Sequence, residues 1–381
     1  MYFFRLISVS LLAALLAILI PASLAQANIQ GDAVIKESAP GPSDKLVVNL
    51  TNVTKLNANE AYEGWLVTDN GSARISVGIL AVNASGVVAH TYSNPEKRNL
   101  ASIYDKFEIT IEPVPDSSAN ASTKVAYRDQ LPSGALPHIR HLLYSLNGNP
   151  NYTSGPHNGV PKGITVGLRE QTDLAHYHAG VAAASTTLSD VKLHLANVIN
   201  IVEGSAGANF VASSGNPGDG AGVLKYAGLA KTHAQLALTA SSGDVVITRF
   251  EPNVSQSSDN VASWAGQARD AAIQGRATDS LTVAKAYASN AELLLNRSLH
   301  GFDANRDGTI TWGTGEGGAA QAHLGAQNMA TYNPIVFVPA PVPPSTGDVS
   351  YTVFAVIALA AGAFILVSGG YFLRRNRRVH A

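Results

Sequence analysis

The sequence predicts an α+β protein: an N-terminal antiparallel β-sandwich, then an α-helical bundle, then one C-terminal transmembrane helix. Three observations predict it. Residues 46–130 hold short alternating apolar runs broken by turn signals about every ten residues. From residue 131 the apolar spacing changes to three and four, the spacing of a helix face. Tyr351–Leu373 is 23 residues without a charge. At about 1.5 Å per residue it spans roughly 35 Å, enough to cross a bilayer core.

Taken in order, the chain opens with Arg5 and an apolar run, Leu6–Ile20. Pro21 breaks the run, and Ala25-Gln26-Ala27 follows as an A-x-A cleavage site. That pattern reads as a signal peptide over residues 1–27. Residues 28–45 mix Gly, Pro, Ser and both charges without periodicity, and read as a flexible arm.

The sandwich follows over residues 46–130. Leu46–Leu50, Tyr62–Val67, Ile75–Val82, Val87–Thr91, Phe107–Glu112 and Lys124–Tyr127 are its strands. Phe107, Ile109 and Ile111 share one face; Glu108, Thr110 and Glu112 share the other. Trp65 is expected in the core between the sheets.

Tyr62, Trp65 and Leu66 in YEGWLV, Ser76 and Gly78 in SVGIL, Gly86 before a strand, and Glu112-Pro113 in ITIEPVPD together resemble the extracytoplasmic C-terminal domain of anti-sigma-K factors. The resemblance implies the sandwich fold and an extracytoplasmic location. That family places a cytoplasmic sigma-binding region before its membrane helix, whereas only five residues precede the apolar run here. Regulation of a sigma factor would then run through a separate partner.

Residues 131–333 read as a bundle of six or seven helices: His138–Leu146, Thr165–Ala184, Leu188–Glu203, Ala221–Ala240, Asn260–Gln274, Asp279–His300 and Gly318–Ala330. Leu188, Val191, Leu195, Val198 and Val202 form one stripe; Leu281, Ala284, Ala288, Ala291 and Leu295 form another. Two helix–loop–helix units read as a repeat, and each second helix carries a histidine, His233 and His323.

The second of these loops is Asp303-Ala304-Asn305-Arg306-Asp307-Gly308-Thr309-Ile310. It resembles the start of an EF-hand or dockerin calcium loop. Asp303, Asn305 and Asp307 would offer side-chain oxygens at alternate positions, Gly308 the sharp turn and Thr309 a backbone carbonyl. Ile310 would anchor the loop to the core. The twelfth position is Thr314 rather than an acid, so Glu316 is the nearest carboxylate to complete a calcium shell.

Histidines on these helices include His138, His141, His176, His178, His194, His233 and His323. His138 and His141 are one turn apart and can share one metal ion. His194, between Val191 and Val198, and His233, between Leu229 and Leu236, tend toward the core. There a neutral imidazole can ligate a transition metal or haem. The alternative for all of them is a boundary histidine hydrogen-bonded to backbone or to a nearby carboxylate.

Residues 334–350 form a Pro-rich stalk. It ends in Pro343-Pro344-Ser345-Thr346-Gly347-Asp348, which resembles a sortase sorting signal with Pro343 in place of Leu. Residues 351–373 are the expected membrane helix. The basic tail 374–381 carries Arg374, Arg375, Arg377 and Arg378 and marks the cytoplasmic side.

The formal net charge of −1 gives no basic field for nucleic acid. The absence of cysteine excludes disulfides, thiol catalysis and Cys-bound zinc. No HExxH, CxxCH or nucleophile elbow is present, so no enzyme is predicted. The expectation is a single-pass, membrane-anchored protein of the cell surface or cell envelope, non-enzymatic, calcium-stabilised, with a structural or ligand-sensing ectodomain. A second reading is an extracytoplasmic metal- or haem-binding protein using the bundle histidines. A third is an anti-sigma-factor-like regulator acting through a partner.

Overall fold

The computed structural model describes residues 29–144 and 162–336. Nine strands are placed there: β1 (Gln30–Lys36), β2 (Lys45–Thr51), β3 (Glu60–Thr68), β4 (Arg74–Ile79), β5 (Val88–Ser93), β6 (Tyr104–Pro113), β7 (Val125–Gln130), β8 (Thr331–Tyr332) and β9 (Ile335–Val336). They form two sheets, ordered β5-β2-β1-β8 and β4-β3-β6-β7-β9, with every pair antiparallel. Alternation builds the core. Leu46, Val48 and Leu50 of β2 are buried together with Phe107 and Ile109 of β6, while Asn49 between them is exposed.

Three expectations are corrected here. The arm at 28–45 contains β1, which pairs with β2 along its whole length. β8 and β9 lie in the stretches read as bundle and stalk, so the chain returns to both sheets after the helices. The helical bundle is therefore an insertion between β7 and β8. Trp65 does not lie between the sheets. A register shift between Gly64 and Trp65 marks a bulge, and Tyr62, Gly64 and Leu66 fill the core side. Trp65 is buried on the other face, where its indole N–H donates to Thr110 Oγ1 at 2.9 Å. Beside it Glu108 is buried under Arg128 at 2.7 Å and Arg74 at 3.5 Å.

Seven α-helices are described: α1 (Leu136–Leu143), α2 (Ile164–Ala184), α3 (Leu188–Glu203), α4 (Val223–Ala240), α5 (Val245–Ala277), α6 (Leu281–His300) and α7 (Ala319–Met329). Side chains cap three of them. Thr187, Asp244 and Ser280 accept from the backbone N–H groups of Asp190, Ile247 and Val283. The predicted stripes are buried at Val191, Leu195, Val198 and Val202 and at Ala284, Ala288, Ala291 and Leu295. α5 begins well before the predicted Asn260. It runs through Pro252, which removes one helical N–H, because Val246, Ile247, Val254 and Val261 hold its first half in the core.

The two helix–loop–helix units close alike. α3 ends at Gly204 (φ 77°, ψ 176°) and α6 at Gly301 (φ 83°, ψ −177°). The next residues, Ser205 and Phe302, donate to Gly220 O and Glu316 O across each loop. A Cβ on Gly204 would lie 2.4 Å from Ala221 O, and one on Gly301 2.5 Å from Glu316 O. Both positions require glycine for conformation and for space. The histidines are not equivalent: His233 lies deep in α4, His323 near the start of α7.

Among the described residues no helix is long and apolar enough to cross a membrane. α5, the longest, carries Arg249, Glu251, Asp259, Arg269, Asp270 and Arg276. This corrects the expected sandwich–bundle–membrane-helix architecture and the expected single-pass localisation. The segments behind those expectations, residues 1–27, 343–348 and 351–381, lie outside the described residues.

Sandwich and bundle belong to one compact unit. Arg140 of α1 makes a two-pronged ion pair with Asp69 in the β3–β4 turn (2.9 and 2.7 Å) and donates to Ala101 O (3.1 Å). Arg169 of α2 pairs in the same way with Glu37, just after β1 (2.6 and 2.7 Å).

Candidate metal centre

α1 has a short and crowded sequence. Leu136, Ile139, Leu142 and Leu143 are buried, and Arg140 is taken by the sandwich. His138 and His141 remain at i and i+3, neighbours on one helix face. α4 presents a stripe of Ala227, Ala230, Ala234 and Ala237, all buried. These small residues let α4 approach closely, and His233 at the edge of the stripe meets both α1 histidines. All three rings are partly buried.

His233 Nδ1 lies 3.2 Å from His138 Nδ1 and 3.2 Å from His141 Nδ1. The three ligand atoms lie within 4.8 Å of one another. An ion bound at about 2.0–2.1 Å by imidazole nitrogens holds any two tetrahedral ligands about 3.3–3.4 Å apart, so the observed spacing is close to a metal-binding edge. Protons alone satisfy it poorly. A single ring nitrogen carries one proton or one lone pair, so His233 Nδ1 can make one good hydrogen bond, and two nitrogens compete for it.

Electrostatics keep these rings neutral. Burial, and then the charge that His141 and His138 would carry, push His233 down to about 4. Burial and then His138 lower His141, and burial lowers His138. Neutral imidazoles are the form that ligates metal. Three protein ligands leave one position of a tetrahedral shell open. Among the described residues this is the one group of three or more His, Asp or Glu side chains close enough to share an ion.

The sequence candidates distribute as follows. His138, His141 and His233 come together. His194 does not join them: it pairs with His178, Nδ1 to Nδ1 at 3.0 Å, with the rings stacked. His194 and His233 are partly buried rather than core, since Leu236 beside His233 is exposed. His323 is buried, with Nδ1 2.9 Å from Thr165 Oγ1 and Nε2 2.9 Å from Gln327 Nε2 and 3.3 Å from Glu37 Oε2. Burial lowers the His323 pKa against the pull of Glu37. Burial opposes ionisation of Glu37, but hydrogen bonds from Arg169 and His323 hold its carboxyl well below the usual range. This network joins sandwich to bundle. Glu37 stands in the stretch that composition marks as an arm, so nothing local in the sequence signalled it.

The 303–310 loop closes on itself. Asp303 accepts from the backbone N–H groups of Asp307 and Gly308 at 3.2 and 2.9 Å, Asn305 from Asp307 at 2.9 Å, and Asp307 from Thr309 at 2.8 Å. Gly308 has φ +87°, as the turn requires. Glu316 is buried and engaged by the N–H and hydroxyl of Thr311. Ile310 is exposed rather than anchored in the core.

The fold and site thus define an α+β protein in which a helical insertion carries a three-histidine cluster between α1 and α4. The family described as anti-sigma-K factor rskA, C-terminal, matches residues 9–133, which takes in β1–β7 and ends just before α1. The match covers under half of the chain, and the histidine cluster lies beyond it. No curated protein and no solved structure matches the chain.

Proposed function

We propose that this protein binds one divalent late transition-metal ion, Zn²⁺ or Cu²⁺ in class, through His138, His141 and His233. The observation that carries this is the approach of three ring nitrogens to within 4.8 Å of one another, with His233 at 3.2 Å from each of the other two. Imidazole nitrogen suits zinc and copper. Rings this close leave no slot for a porphyrin, which favours an ion over haem. Three histidines leave one position of a tetrahedral ion open to a ligand from solvent. A calcium ion in the 303–310 loop has weaker support, since Glu316, which would complete its shell, is engaged by Thr311.

The test is metal content. The purified full-length chain, dialysed against Zn²⁺ and then against buffer, should lose one equivalent on His233→Ala. Unchanged content in that variant would refute the assignment.

A second reading rests on the family match over residues 9–133. It makes the chain a regulator that works with a sigma-factor partner, α1 serving as the metal-sensitive element beside the sandwich. Binding of purified sigma factors from the source organism, with and without Zn²⁺, tests it; no binding under either condition removes it.

A further inference from the structure

The geometry points to a second transition-metal site, formed by His178 of α2 with His194 and Asn197 of α3. It shares no residue with the three-histidine centre.

His194 and Asn197 are at i and i+3 on α3, so both face the same neighbour. That neighbour is the end of α2, where His178 projects. His178 Nδ1 lies 3.0 Å from His194 Nδ1 and 3.5 Å from Asn197 Nδ2. Asn197 is only 8% exposed, and its Oδ1 is buried without a hydrogen-bond partner.

Protons do not satisfy this trio. His178 Nδ1 has one lone pair or one proton, yet two groups approach it. If it accepts from His194, the Asn197 amide is left over; if it takes the Asn197 N–H, His194 is left over. In neither case is Oδ1 paired. A cation ends the competition of His194 and Asn197 for His178 Nδ1. With the amide turned about its last bond, which exchanges oxygen and nitrogen in place, two imidazole nitrogens and one amide oxygen face a common point, and the amide nitrogen takes the buried position opposite. The 3.0 Å separation of the two nitrogens is near a tetrahedral edge. Two nitrogens with one neutral oxygen fit Cu²⁺, Ni²⁺ or Zn²⁺, with solvent completing the shell through the partly exposed side. Imidazoles and an amide carry no negative charge, which disfavours Ca²⁺ and Mg²⁺.

The experiment is a Zn²⁺ titration of the full chain by calorimetry, with metal content counted in parallel. The wild type should bind two equivalents. His178→Ala/His194→Ala should leave one, and His138→Ala/His233→Ala should leave the other. Loss of only the second equivalent, with the first insensitive to His178→Ala/His194→Ala, would overturn this site and leave the three-histidine reading intact. The reverse pattern would do the opposite. Asn197 supplies a separate arm that keeps both histidines. Asn197→Leu should weaken this equivalent by about tenfold or more, comparable to losing a supporting group around a metal, and Asn197→Asp should tighten it. Unchanged affinity in both Asn197 variants would show that the amide is no ligand and overturn the site as drawn. Far-ultraviolet circular dichroism of each variant separates ligand loss from unfolding.

Discussion

His141 Nδ1 and His233 Nδ1 face each other at 3.2 Å across the contact of α1 with α4, their rings edge to face. One ring sits on the helix that leaves the sandwich and the other inside the bundle. The proposed ion between them, shared with His138, would tie α1 to α4.

Metal should therefore raise thermal stability. At free Zn²⁺ about a hundred times Kd, binding adds about 2.7 kcal/mol. In a unit of this size that raises Tm by about 4 °C. His141→Ala should abolish the three-histidine share of that rise and leave the melting of metal-free protein nearly unchanged. A full Zn²⁺ response in His141→Ala would contradict the assignment.

Acid should weaken the metal-free protein. His233 and His178 are held down to about 4 in the fold, against an ordinary value near 6.5. Between those values the unfolded chain binds more protons, so stability rises with pH through that window and falls as pH drops from 6.5 toward 4. Glu37 does not oppose this, because its carboxyl stays ionised throughout the window. Urea unfolding at pH 7, 6 and 5 measures the slope, and His233→Asn with His178→Asn should flatten it.

Arg140 positions α1. Its side chain is 23% exposed, and that of Asp69 is 49% exposed. Exposure limits the pair to about 1 kcal/mol. Arg140→Ala should cost about that much in urea melts. It should also weaken Zn²⁺ binding while leaving stoichiometry unchanged, because α1 keeps its histidines but loses its grip on the β3–β4 turn.

The Glu37–Arg169 pair is deeper, at 19% and 18% side-chain exposure. Arg169→Leu leaves the Glu37 carboxylate beside His323 without its main partner. The expected cost is about 2 kcal/mol, below that of a fully buried pair because solvent still reaches both groups. The His323 pKa should rise at the same time, which histidine-resolved nuclear magnetic resonance would detect; a change below about 0.5 kcal/mol, the range of an ordinary surface substitution, would show that the pair is not a structural joint.

Much of the fold was legible in the sequence because alternation and 3/4 spacing report burial directly. Leu46, Val48 and Leu50, and Val191, Leu195, Val198 and Val202, are buried as their periods require. β8 and β9 were not legible: each has two residues, too few for a period, and their partners lie in β1 and β7. Pro252 hid the first half of α5, because local propensity gives way there to tertiary packing. At the site, the spacing of His138 and His141 put both rings on one helix face. The choice of His233 over His194 was not legible. Both sit beside aliphatic residues on their helices, and only the packing of α4 on α1 and of α3 on α2 assigns each its neighbour.

The most direct test is X-ray absorption of the Zn²⁺-loaded His178→Ala/His194→Ala protein, in which only the three-histidine centre remains. The account predicts a four-coordinate ion with three imidazole nitrogens at about 2.0–2.1 Å. A shell of oxygen ligands with one imidazole or none would contradict it.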